Sequence, residues 1–347
     1  MAKLLLLIFG VFIFVNSQAQ TFPTILEKHN SEKITDVFHK GNFQVTNNPI
    51  RVKRYEFSAP EPLIIISPKE AGVYPVLLFI HGTMLSNEDY SLFFNYIASH
   101  GFIVVAPKLF RLFPPKLPSQ QDEIDMAASV ANWMPLYLQV VLQRYVTGVE
   151  GDLEKLAISG HSRGGKSAFA LALGFSNIKL DVTFSALIGV DPVAGRSVDD
   201  RTLPHVLTYK PNSFNLSIPV TVIGSGLGNH TISCAPNHVS HQQFYDECKE
   251  NSSHFVITKY GHMDMLNEFR LSPIAVTMSL MCAQSFRPKA TMRRTLGGIM
   301  VAFLNAYFRD DGRQYYAIIA NRSLAPTNLF AEKKGFNFGF ATTYAQL

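Results

Sequence analysis

The stretch LAISGHSRGGKSAFALA, Leu156 to Ala172, sets one serine among glycines between two apolar blocks. Such a serine is either part of a tight turn or a nucleophile, and its context separates the two. An apolar strand pattern ends at Gly160 and a helical pattern begins near Gly164, the strand–turn–helix that a nucleophile elbow requires. The two glycines let strand and helix pass closely. The turn is expected to aim the Ser162 hydroxyl out of the sheet and to leave the Arg163 amide at a helix N-terminus.

A serine hydroxyl attacks poorly unless a base takes its proton. On this architecture the chain order is serine, acid, histidine. Of the eleven histidines, His262 in TKYGHMDM follows the last apolar strand and a glycine. A loop there can carry it back over Ser162. His161 adjoins the serine and is expected to point away from it; His81 and His205 are less well placed. Asp191, in LIGVDPVAG, closes the strand after the nucleophile helix and is the expected acid. The same Asp-Pro pair is also a common turn opener. Asp264, only two residues past His262, suits backbone capping better, and Asp199 and Asp200 lie further into a loop. The oxyanion needs a second amide beside that of Arg163. LLFIHGTML offers Thr83 N–H, because Gly82 frees the backbone to turn inward.

These residues need strands to hold them. PLIIIS, VLLFIHG, FIVVAPKL, KLAISG, FSALIGV, IPVTVIG and HFVITKYG read as strands, with PKEAGVYP as a turn between the first two. YSLFFNYIASHG, Asp122 to Val146, GKSAFALALGF and GGIMVAFLNAYF read as helices, the second of them interrupted by Pro135. Apolar strands alternating with helices predict an α/β fold, a mostly parallel central sheet with helices on both faces. The long segments Asp191 to Ser217 and Ser225 to Ser253 break the rhythm after the strands that follow the nucleophile helix. They are expected to form walls or a lid over the site.

The chain has 347 residues, 47% of them hydrophobic and 16% charged, ample for a core and unlike a disordered or nucleic-acid-binding chain. The net charge of +5 comes with no run of five basic residues, so no nucleic-acid partner is expected. Lys3, the apolar run Leu4–Val15 and small residues at Ser17 and Ala19 read as a secretory signal peptide over residues 1–19, with a single domain over 20–347. The run is too short for a stable membrane span. Four sequons, at Asn215, Asn229, Asn251 and Asn321, fit passage through the endoplasmic reticulum and on to the vacuole or outside. Three cysteines allow one bridge; Cys234–Cys248 would staple the second excursion and leave Cys282 free. His230, Cys234, His238, His241 and Cys248 match no zinc spacing, and neither metal nor cofactor is expected.

With those residues in hand, the chain resembles plant chlorophyllases. PVLLFIHG, IASHGFIVVAPKL, GHSRGGKSAFALALG, GVDPVAG, CAPNHV, FYDEC and YGHMDML carry the resemblance over about Pro75 to Leu266. It implies an α/β-hydrolase fold and hydrolysis of the phytyl ester of chlorophyll, or of related porphyrin esters, to chlorophyllide and phytol. It also implies Ser162, Asp191 and His262 as the triad. A broader lipid esterase of the same fold, or a hydrolase-like binding protein without activity, would share much of the pattern. The leader departs from the Ser- and Arg-rich transit peptides of plastid members, so the plastid is the alternative compartment.

Overall fold

The computed structural model describes residues 36–46, 48–110, 118–229, 234–269 and 271–335. The leader expected over residues 1–19 lies outside them. The described residues belong to one compact unit, Thr35–Leu347.

Among them the apolar runs pair into one sheet. In chain order its strands are β1 (Ile50–Val52), β2 (Leu63–Ile66), β3 (Gly72–Ile80), β4 (Ile103–Pro107), β5 (Val149–His161), β6 (Ala186–Val190), β7 (Val220–Ser225), β8 (Ser252–Ile257) and β9 (Leu329–Lys334). Their order across the sheet is β1-β2-β4-β3-β5-β6-β7-β8-β9. The pairings from β4 through β8 are parallel, while β1, β2 and β9 join antiparallel at the two edges. β4, β6 and β7 are buried at every position, as strands covered on both faces must be.

The helices that cover the sheet are α1 (Ser91–Ser99), α2 (Gln120–Tyr145), α3 (Arg163–Ala172), α4 (His241–Glu247), α5 (Pro273–Met281), α6 (Lys289–Phe308) and α7 (Arg313–Ala320). Side chains of α2, α3 and α4 fill the core on one face, and those of α1, α6 and α7 fill the other. α2 begins at a capping box between Ser119 and Asp122 and continues through Pro135.

The expected mostly parallel sheet with helices on both faces is what forms. Several boundaries differ. GVYP belongs to β3 rather than to a turn, because Gly72 to Pro75 pair with Val149 to Asp152 and extend both strands. The register shifts between Pro75 and Val76, a bulge that accommodates a residue with no N–H to donate. The edge strands β1 and β9 and the helices α4, α5 and α7 were not among the elements expected from the sequence.

The cysteine pairing also differs from expectation. Cys234 is bonded to Cys282, with Cα atoms 5.6 Å apart, and Cys248 is free and buried. Cys248 ends α4 facing the core, where its thiol donates to the Phe244 carbonyl. Cys282 caps the C-terminal end of α5. The bridge closes a separation of 48 residues, worth about 4 kcal/mol in the chain-entropy model. Cys234→Ser and Cys282→Ser should each lower the melting temperature by roughly 5–10 °C, and the double variant no further. Calorimetry of the three variants checks this; additive losses would mean the two thiols act separately.

Candidate active site

The chain reverses sharply between β5 and α3. Ser162 has φ 58° and ψ −124°, a conformation costly for a residue with a side chain. Its N–H donates to the Val190 carbonyl, and its own carbonyl accepts from the Val193 and Lys166 amides. A Cβ on Gly160 would lie 2.2 Å from the Gly164 carbonyl oxygen, and one on Gly164 2.3 Å from that of His81. Both glycines are thus required for strand and helix to approach.

Ser162 sits beyond the carboxyl end of β5, Asp191 beyond β6 and His262 beyond β8, the edge where parallel sheets present ligand sites. His262 Nε2 lies 2.8 Å from Ser162 Oγ, and His262 Nδ1 lies 2.7 Å from Asp191 Oδ2. The carboxylate accepts the Nδ1 proton, which leaves Nε2 to accept from the serine hydroxyl. The Ser225 hydroxyl, at the end of β7, also donates to Asp191 Oδ2. Burial alone would push the Asp191 carboxyl up. The hydrogen bond and charge of His262, with smaller pulls from His241 and Ser225, reverse this and hold it well below the usual carboxylate range.

The three residues singled out for a triad are thus brought together, and the rejected ones are occupied elsewhere. Asp264 Oδ2 accepts from the Gly261 and Ser285 amides, pinning the loop that carries His262. His81 has both ring nitrogens committed, Nδ1 to the Gly82 carbonyl and Nε2 to the Leu109 amide. Burial lowers its pKa to about 4, so it stays neutral. His205, Asp199 and Asp200 are exposed on the excursion. The His/Cys set is dispersed: Cys234 is disulfide-bonded, His241 pairs with His254, His238 is exposed and Cys248 faces the core, while His230 lies outside the described residues.

Thr83 and Arg163 line a common shallow cleft. The Gly82 N–H is already taken by the Tyr90 hydroxyl, at 3.1 Å, so Thr83 is the next residue with an amide to offer. The Arg163 side chain turns away from the serine to Glu123, 2.5 Å from Nε, and to the Pro118 carbonyl. The two excursions are tied to the nucleophile helix and to one another. Buried Lys166 donates to the Thr202 carbonyl and hydroxyl, and Ala194 N–H donates to the Val239 carbonyl, joining one excursion to the other.

Comparison with known proteins settles the family. The sequence model described as chlorophyllase matches residues 33–334. Chlorophyllase-1 of Arabidopsis thaliana is 44% identical over 298 residues, 84% of this chain and 90% of its own length. The chain belongs to the chlorophyllase family. Chlorophyllase-1, chloroplastic, of Citrus unshiu is 44% identical over 275 residues, 78% of this chain and 79% of its own. Chlorophyllase-2 of Arabidopsis thaliana is 40% identical over 267 residues, 75% of this chain and 82% of its own. The α/β-hydrolase fold and the chemistry of a carboxylic ester hydrolase come with that membership.

Sequence reasoning missed what His161 does. It does point away from the serine hydroxyl, but into a buried chain of hydrogen bonds. Gly82 N–H donates to the Tyr90 oxygen, the Tyr90 hydroxyl donates to His161 Nδ1 at 2.7 Å, and His161 Nε2–H donates to the His262 carbonyl at 3.0 Å. One chain thus ties the loop before Thr83, the elbow and the backbone of His262. Burial, then the charge of His262, holds His161 well below the usual histidine pKa, so it remains neutral and Nδ1 remains an acceptor. Nothing in the local spacing of Tyr90 hints at this, since its partners lie far along the chain. Tyr90→Phe leaves Gly82 N–H and His161 Nδ1 unsatisfied. It should lower kcat about tenfold at unchanged KM, because displacement of positioned groups acts on the reacting geometry. Steady-state kinetics on chlorophyll checks this; wild-type kcat would reduce the chain to a packing feature.

Proposed function

We propose that Ser162, His262 and Asp191 carry the chlorophyllase reaction of this chain, hydrolysis of the phytyl ester of chlorophyll to chlorophyllide and phytol. The observation behind the reading is the unbroken line from Asp191 Oδ2 through the His262 ring to Ser162 Oγ, with gaps of 2.7 and 2.8 Å, at a strained elbow. Ser162 Oγ attacks the propionyl ester carbonyl as His262 Nε2 takes its proton. Asp191 keeps the imidazole in the tautomer that accepts at Nε2, and stabilises the imidazolium that forms. The Thr83 and Arg163 amides receive the negative oxygen of the tetrahedral intermediate. His262 then returns the proton to the departing phytol oxygen. Water, activated by the same ring, attacks the acyl-enzyme and releases chlorophyllide and free Ser162. Magnesium belongs to the substrate macrocycle and takes no part in these steps.

The compartment has supports that point in two directions. The Citrus chlorophyllases are named chloroplastic, which favours a plastid for this chain. The order Lys3, Leu4–Val15, Ser17, Ala19 favours entry to the endoplasmic reticulum. The sequon residues Asn215, Asn229, Asn251 and Asn321 are all exposed, so each is open to a glycan on that route. A fluorescent fusion to residues 1–40, with a glycosidase digest of the full chain, separates the two. Plastid fluorescence and an unchanged gel mobility would remove the secretory reading.

The triad assignment is tested by three variants. Ser162→Ala should abolish turnover of chlorophyll and covalent labelling by an organophosphonate, with the fold retained. Asp191→Asn should lower turnover by roughly 10⁴. Asp264→Asn should cost far less in turnover, because its carboxylate caps the loop rather than the imidazole. Turnover measured beside circular dichroism checks all three. Should Asp264→Asn prove the crippled variant, the acid has been misassigned.

A further inference from the structure

Helix α5 is built inside out. Its fully buried positions carry the small side chains Ala275, Ser279 and Cys282, at the spacing of one helix face, with Met278 partly buried against the core beside them. Three of its large apolar residues point outward: Leu280 is 77% exposed, Met281 48% and Val276 44%. Phe286, just beyond its end, is fully exposed, and Phe269, just before its start, is 78% exposed. Scattered apolar residues on a surface are ordinary, but a contiguous apolar helix face marks a docking site.

The helix is also mounted rigidly beside the candidate active site. At its start, Ser272 N–H and hydroxyl donate to the two oxygens of Asp89, the residue before Tyr90. At its end, Cys282 is bonded to Cys234, and Ser285 N–H donates to Asp264 in the His262 loop. The Ala283 carbonyl lies against Gly261, so closely that a Cβ there would be 1.9 Å away. Charge indicates what the face meets. Residues 269–289 contain no Asp or Glu and three basic residues, Arg287 and Lys289 among them, in a chain of net charge +5. The nine-residue helix is too short to span a bilayer and carries no charge of its own, so its exposed apolar side chains can enter only the outer layer of a membrane, with the neighbouring cations at the headgroups.

We propose that α5, with Phe269 and Phe286, docks this protein on the surface of an anionic lipid bilayer, so that a membrane-dissolved ester reaches the site without crossing water. Only the purpose of the docking rests on the ester-hydrolase reading; the binding itself does not. The test is therefore flotation of the full chain with vesicles, which needs no turnover. Phosphatidylcholine vesicles with and without about one-third phosphatidylglycerol supply the electrostatic comparison. The wild-type chain should float with the anionic vesicles and bind the neutral ones more weakly. Leu280→Glu combined with Phe286→Glu should weaken binding about tenfold or more, with unchanged melting temperature and unchanged hydrolysis of a soluble nitrophenyl ester. Equal flotation of wild type and variant, or no flotation of either, would overturn the proposal. So would a wild-type dimer in sedimentation that the double variant converts to monomer, since a second copy would then cover the face.

Discussion

The backbone at Ser162 is the constraint on which the rest of the site depends. Its conformation, φ 58° and ψ −124°, costs about 1–3 kcal/mol and persists only because the surroundings leave no alternative. Those surroundings are the sheet itself. Ile80 pairs with Gly160, so the turn after β3 lies beside the elbow and Thr83 comes within the same cleft as Arg163. His161 pairs with Val190, so Asp191 is the first residue past β6, level with Ser162. A one-residue slip in either register would turn these side chains to the opposite face. Burial of the parallel strands on both sides makes such a slip very unfavourable. The apolar runs that look like mere core are therefore what aligns the chemistry.

His262 has no strand or helix of its own and needs other restraints. Asp191 holds its ring, His161 holds its carbonyl and Asp264 holds the turn before it. These partners come from three different stretches of chain, which is why the loop behaves as part of the scaffold. The neutrality of His161 matters as much as its hydrogen bond. Its ring centroid is 4.5 Å from that of His262. Two positive charges at that separation would repel by about 4 kcal/mol at an effective dielectric constant of about 20. A protonated His161 would thus oppose the imidazolium that ester attack creates. Burial prevents that protonation, so the same apolar surroundings position the His262 ring and leave room for the charge that the proposed mechanism places on it.

The elbow, Asp191 and His262 were legible because each is signalled locally: a glycine pair, a strand end, a glycine before a histidine. The mostly parallel sheet followed from the alternation of elements for the same reason. What escaped depends on contacts between distant segments. The Tyr90–His161 bond joins residues 71 apart, and the Cys234–Cys282 bridge joins residues 48 apart. Cys248 was the nearer candidate along the chain, yet a cysteine at the end of α4 faces the core, where it packs as a small apolar side chain. Ser225 belongs to the same class. The sequence put it at the start of the second excursion, and only the fold, which makes it the last residue of β7, brings its hydroxyl to Asp191. The edge strands and α5 escaped for another reason, since the period of an apolar segment says little when the buried face is small.

That last point connects α5 to the energetics of the whole molecule. Helices such as α3 and α6 are held by large side chains buried against the sheet, and most helices in proteins gain their stability this way. A nine-residue helix whose fully buried side chains are all small gains little by that route and would fray alone. It is held instead by a cap from Ser272, by the carboxylates of Asp89 and Asp264 at its two ends, and by a covalent bridge. Polar and covalent restraints need no apolar surface, which leaves Val276, Leu280 and Met281 free to face outward. Those same restraints run through Asp89 to Tyr90 and through Asp264 to His262. Whatever covers the apolar face of α5 is therefore mechanically continuous with the residues that orient the base.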